Sequence, residues 1–141
     1  MIAKPATTFV WRDEYEVGVR EIDEQHRRLI DMIANFYDAL TAQDQAKQAL
    51  GDLLAGLLEY TRYHFSTEEQ LMERTAFPLS RSHRDQHAAF VAKIADMADR
   101  YSRGRLVLSI EATAFVREWL SGHILVLDRQ LGRHLTLRGV H

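Results

Sequence analysis

The chain has 141 residues, a length suited to one domain whose core needs no covalent staples. Its 18 basic and 20 acidic residues nearly balance, and no basic run exceeds a pair, so nothing recommends a nucleic-acid partner. Cysteine is absent, so disulfides, thiolate metal sites, iron–sulfur clusters and thiol catalysis are excluded.

Residues 1–20 read as an irregular arm. Pro5, Thr7, Thr8 and Gly18 interrupt it, while Phe9, Val10, Trp11 and Tyr15 give it side chains to dock with. The start lacks the apolar run of a signal peptide, and no stretch of about 18 apolar residues could span a membrane. The expectation is a cytoplasmic protein with no membrane insertion.

Helical periodicity then takes over. A first helix is predicted over 21–41, with His26, Leu29, Ile30, Ile33, Phe36, Tyr37 and Leu40 on one face and Glu21, Asp23 and Glu24 suited to its N-terminus. A second is predicted over 44–74, aligning Leu50, Leu54, Leu57, Thr61, His64, Glu68 and Leu71. Gly51 and Gly56 weaken it locally, which close packing would explain, and Thr75-Ala76-Phe77-Pro78 breaks it. A third runs over 80–102 with the stripe His83, His87, Phe90, Ile94, Met97 and Tyr101. After Gly104 a fourth runs over 109–131 with Phe115, Val116, Trp119, Leu120, His123, Val126 and Leu127 inward, and Gly132 is predicted to end it. Short loops between four amphipathic helices predict an all-α, up-down-up-down bundle. One domain over 1–141 is expected, made of the arm 1–20, the bundle 21–131 and a tail 132–141.

Five of the 7 histidines occupy the apolar stripes: His26, His64, His83, His87 and His123. Glu68 lies on the stripe one turn after His64, with no lysine or arginine beside it. A buried carboxylate needs a partner, and a metal would provide one. Counting about 1.5 Å per residue from each turn brings all of these groups to one level near one end of the bundle. Asp128 departs from this pattern, because five residues of regular helix place it about 140° around from His123. A local widening, a π-turn, or else a different approach angle is predicted near Val126.

The segments that carry the pattern are Trp11, Tyr15, Val17-Gly18-Val19 and Ile22-Asp23-Glu24-Gln25-His26, then Tyr63 to Met72, His83 to His87, and Trp119 to Asp128. Together they resemble the hemerythrin family over nearly the whole chain, with all seven ligand positions filled. The resemblance implies two iron ions joined by an oxo or hydroxo bridge. His83, His87 and His123 would hold one iron, His26 and His64 the other, and Glu68 and Asp128 would bridge both. Dioxygen would bind at the open position of the second iron, with nitric oxide as another possible ligand.

Leu29, Phe65, Trp119, Leu120, Ile124 and Leu127 are near these ligands in sequence, and some should form a dry apolar pocket for oxygen. Leu120, one turn before His123, is the candidate gatekeeper. Trp11, Phe90, Met97 and Tyr101 read as core, and Tyr60 and Tyr63 as packing residues. Asp23 and Gln25 read as helix-terminal or surface groups, and Glu69 as surface or indirectly acting. His134 and His141 read as exposed tail residues. The leading expectation is a monomeric, non-enzymatic carrier or store of dioxygen. The other readings are a sensor of oxygen, redox state or nitric oxide, and a di-iron oxidase, peroxidase or nitric-oxide reductase.

Overall fold

The computed structural model describes residues 9–39, 46–104 and 110–141. Pro5, Thr7, Thr8, Leu40, Thr41, Asp44 and Ser109 lie outside them. Four helical rods and no strand make up the described residues, giving an all-α four-helix bundle. They are α1 (Arg20–Ala39), α2 (Ala46–Arg74), α3 (Ser80–Ser102) and a composite fourth rod. That rod is α4 (Ile110–Gly122), a π-helical turn (His123–Asp128) and α5 (Arg129–Leu137).

The arm is irregular apart from a single 3-10 turn, Asp13–Tyr15. Asp23 fastens it to α1: its carboxylate accepts from the Val17 N–H at 2.8 Å and the Gly18 N–H at 3.3 Å. Arg129 donates to the Glu14 carbonyl at 2.7 Å and ties the arm to α5. Between α2 and α3, Phe77 N–H reaches back to the Met72 carbonyl at 3.0 Å, with Ala76 at a φ of 53°. This is a Schellman closure built on alanine instead of glycine.

The fourth rod does not stop at Gly132, as the sequence suggested. The helix passes through this residue to Leu137 and ends at Gly139, whose φ is 82°. Val140 N–H returns to the Leu135 carbonyl at 3.0 Å and Gly139 N–H to that of Thr136 at 3.1 Å. Gly132 is buried within α5, and a Cβ there would come within 2.2 Å of the Val17 carbonyl oxygen. Its glycine signal therefore marks close approach of the arm, not a helix end. Gly51 and Gly56 follow the same logic, facing the Tyr101 ring and the Met32 methyl.

Two apolar clusters fill the interior. The larger includes Leu29, Ile30, Ile33, Leu54, Leu57, Phe65, Phe90, Ile94, Leu120 and Ile124. The smaller, at the Pro78 end, joins Val17, Val19, Ile22, Met72, Phe77, Leu131 and Leu135. α1, α2 and the fourth rod therefore run from one apolar cluster to the other, while α3 joins the larger one and follows Phe77 of the smaller. The intervening segments carry the seven polar residues singled out in the sequence.

Candidate metal centre

Seven polar side chains form a layer between the apolar clusters. His26, His64, Glu68, His83, His87, His123 and Asp128 are each 5 % exposed or less. On α1 the layer lies between Ile22 and Leu29, on α3 it precedes Phe90, and on the fourth rod it reaches Leu131. On α2, His64 and Glu68 are one helical turn apart and share a face.

The π-turn supplies the seventh residue. Its hydrogen bonds close over five residues instead of four, so His123 and Asp128 return to one face. His123 Nε2 lies 3.1 Å from Asp128 Oδ1. The widening predicted from their spacing is present over those same residues.

The donor atoms sort into two groups. Glu68, His83, His87, His123 and Asp128 form one, and His26, His64, Glu68 and Asp128 the other, with the ligand atoms of each group within 4.8 Å of one another. Each carboxylate contributes one oxygen to each group. Glu68 Oε1 lies 3.2 Å from His83 Nε2 and 3.0 Å from His87 Nε2. Its Oε2 lies 3.3 Å from His64 Nε2 and 3.5 Å from His26 Nε2. Asp128 Oδ1 lies 3.0 Å from His83 Nε2, while its Oδ2 lies 2.9 Å from His26 Nε2.

Hydrogen bonding, as between His83 Nε2 and Glu68 Oε1, accounts for only part of this proximity. His26 Nε2, His64 Nε2, Glu68 Oε2 and both Asp128 oxygens are buried without a hydrogen-bond partner among the described residues. Orphaned buried atoms of this kind are costly and rare. Five of them in one layer, nitrogen and oxygen together, aim at common points instead of at one another. A cation at each point would satisfy them, and the mixed imidazole and carboxylate set suits a transition metal such as iron. The residues therefore fit the metal pair that the sequence implied.

Neighbouring groups fix which nitrogen faces inward. Glu69 is a carboxylate and can only accept, so His87 Nδ1 donates to its Oε2 at 3.0 Å. Gln25 accepts the His64 Nδ1 proton through Oε1 at 2.6 Å and donates from Nε2 to Thr67 Oγ1 at 3.2 Å. Both rings thus carry their proton on the outer nitrogen and direct the Nε2 lone pair inward. His87 Nε2 lies only 3.2 Å from His123 Nε2, a spacing that a shared cation would relieve.

Charge explains the titration behaviour of the protein alone. Burial would lower the His26 pKa, but attraction to the nearby Asp128 and Glu68 carboxylates outweighs it and raises the value to about 9. The same balance raises His83 to about 9. Burial prevails at His64, which is lowered. Burial would raise Glu68 and Asp128, yet the surrounding histidines hold both well below the usual carboxylate range. Two carboxylates and two imidazolium ions leave the layer close to neutral.

Leu29, Phe65, Leu120 and Ile124 are buried in the larger apolar cluster, and Trp119 packs half-buried against it. Phe65 stacks on His87 with ring centroids 3.8 Å apart, and Trp119 on His123 at 4.5 Å. Leu127 is half-buried. Some readings need correction: Val126, expected inward, is 57 % exposed, and Tyr63, expected to pack, is 58 % exposed. Gln25 is no surface group: it is 5 % exposed and orients His64. Asp23 acts at the helix terminus, as read, and Glu69 acts indirectly, the second of the two roles read for it, by accepting from His87 Nδ1. His134 is no exposed tail residue, since α5 carries it against Phe77 at 5.0 Å and within 3.0 Å of the Thr75 carbonyl. His141 is exposed.

Comparison with known proteins agrees with this arrangement. Residues 17–135 match the family described as the hemerythrin HHE cation binding domain. A bacteriohemerythrin of Stenotrophomonas maltophilia is 34 % identical over 115 residues, covering 82 % of this chain and 73 % of that protein. The myohemerythrin of Riftia pachyptila is 32 % identical over 120 residues, covering 85 % of this chain and 88 % of that one. A crystal structure of wild-type hemerythrin superposes with a TM-score of 0.78 at 26 % identity, covering 96 % of this chain and 98 % of that chain.

Proposed function

The chain belongs to the hemerythrin family, and we propose that it binds dioxygen reversibly at a pair of non-haem iron ions. In this reading His83, His87 and His123 hold one iron, His26 and His64 hold the other, and Glu68 and Asp128 span the two. An oxo or hydroxo bridge completes the centre. The observation that carries the reading is the division of the carboxylates, each offering one oxygen to either histidine group.

When bound, the iron pair supplies electrons that dioxygen can accept and return. The protein's part is to hold and shelter that pair. Three histidines against two leave the His26–His64 side with fewer protein donors, and hence with room for an added ligand. Gln25 and Glu69 keep two imidazoles oriented before metal arrives. The apolar cluster beside the layer, with Leu29, Phe65, Leu120 and Ile124 buried in it, limits water and proton access. Excluding protons favours release of intact dioxygen over further reduction, which supports carriage or storage over catalysis.

The test is to load the protein with ferrous iron without air, count the metal, and record visible spectra through oxygen addition and removal. Two irons per chain and a coloured form that bleaches when oxygen is removed support the proposal. Irreversible oxidation within one cycle would shift the function to sensing or catalysis, and failure to bind two irons would overturn the centre itself.

A further inference from the structure

His64 and His87 both have a hydrogen-bond partner at Nδ1 among the described residues, and those partners differ in charge. Gln25, beside His64, is a neutral amide, buried and held by Thr67. Glu69, beside His87, is an acid whose side chain is 29 % exposed. It lines a groove of about 640 Å³ between α2 and α3, together with Arg62, Glu73, Arg84 and His87 itself. Arg84 Nη1 lies 4.0 Å from Glu69 Oε1, and its own side chain is 44 % exposed, so it only weakly offsets the Glu69 charge.

We infer that Glu69 is a positioning residue that makes the two halves of the centre electronically unequal, so that the metal beside His87 is the easier one to oxidise. This rests on the two-iron reading. A carboxylate accepting the Nδ1 proton draws that proton outward and makes Nε2 a stronger electron donor. Its negative charge, one imidazole ring away, also favours the higher charge on the metal. The amide of Gln25 orients His64 equally well but adds no charge. The difference between Glu69 and Gln25 therefore adds, from outside the seven ligands, to the unequal histidine count of the two halves.

Two variants separate charge from geometry. Glu69→Gln keeps an oxygen to accept from His87 and removes the charge, whereas Glu69→Ala removes both. Cobalt(II) binding to the iron-free protein reads geometry; mediated redox titration of the iron-loaded protein, with ferricyanide as oxidant, reads charge. Expected for Glu69→Gln are two bound cobalt ions, as in wild type, and one of two redox midpoints raised by about 59 mV, a tenfold change. Glu69→Ala is expected to weaken one of the two cobalt sites by roughly 10- to 100-fold. Unchanged midpoints in Glu69→Gln, or equal shifts of both, overturn the inference while leaving a two-metal wild type standing. A wild type that takes up neither cobalt nor iron overturns the two-iron reading and this inference together.

Discussion

Loading the centre with metal should expel protons, and the number should depend on pH in a defined way. In the metal-free protein His26 and His83 are held at about 9, so both carry a proton at neutral pH. Metal ligation needs their Nε2 lone pairs, so both protons must leave. With those pKa values, loading at pH 7 should release about two protons from these histidines, and at pH 9.5 about half of one. The metal affinity should accordingly climb by up to about a hundredfold per pH unit between 7 and 8, and flatten above 9. Stability has the opposite sign. A histidine raised from 6.5 to about 9 stabilises the metal-free fold fully below pH 6.5, and that contribution is lost as pH rises through 9. Its size is up to about 3 kcal/mol per histidine, and the two do not add because both draw on the same carboxylates. The depressed pKa values of Glu68 and Asp128 work in the other direction, and their contribution is lost as pH falls through the acid range. The assay is titration calorimetry with cobalt delivered from a weak chelator, in buffers of different ionisation enthalpy. Proton release that is near zero at pH 7, or identical at pH 7 and 9.5, would refute the charge balance assigned to the layer.

Leu120→Ala should lower stability by about 2–5 kcal/mol, since this 2 % exposed side chain would leave a cavity in the larger cluster. If Leu120 also guards the centre, autoxidation of the iron-loaded protein should accelerate; an unchanged rate would remove that role. Gln25→Leu strips the His64 Nδ1 proton of its acceptor, and calorimetry should find metal affinity reduced by roughly 10-fold or more at one site. Gly132→Ala drives a Cβ against the Val17 backbone, so urea unfolding should show a loss of about 1–3 kcal/mol. A neutral result there would mean that the arm shifts freely away from α5.

The legible parts of this molecule are those with a period. The spacing of Leu29, Ile30, Ile33 and Phe36, and of the matching rows on the other rods, exposes the bundle, because a helix repeats every 3.6 residues wherever it buries a face. The layer was legible for a different reason. Histidines and a glutamate at apolar positions break the periodic pattern in chemistry but not in spacing. Even the π-turn could be seen in advance, as a mismatch between the five-residue step from His123 to Asp128 and the angle of a regular helix. What stayed hidden depends on contacts between segments distant in sequence. Gln25 looks like one polar residue among several, until α2 brings His64 to 2.6 Å. Gly132 and Gly139 look alike on paper. Only the arm, folded back so that Val17 meets the rod, shows that the first serves packing and the second ends the helix. His134 was misread for the same reason, since its partner Thr75 sits 59 positions away.

A layer of seven buried polar side chains would be expected to weaken a bundle of this size, because unpaired buried charges oppose folding strongly. Two features reduce that cost without metal. Asp128 and Glu68 hold protons on His26 and His83, so that the layer approaches neutrality by itself. Apolar packing continues on both sides of it, through Ile33, Leu54 and Ile94 in one cluster and Ile22, Met72 and Leu131 in the other. α1, α2 and the fourth rod are therefore pinned above and below the site, and α3 is closed onto α2 by the turn at Ala76. It follows that metal exchanges with protons inside a framework that already exists, instead of nucleating the fold as structural zinc does in small domains. On this argument the metal-free protein keeps its helices, and circular dichroism should change little on loading while the melting temperature rises. A metal-free chain without cooperative unfolding would mean that the two apolar clusters do not suffice to hold the four rods in place.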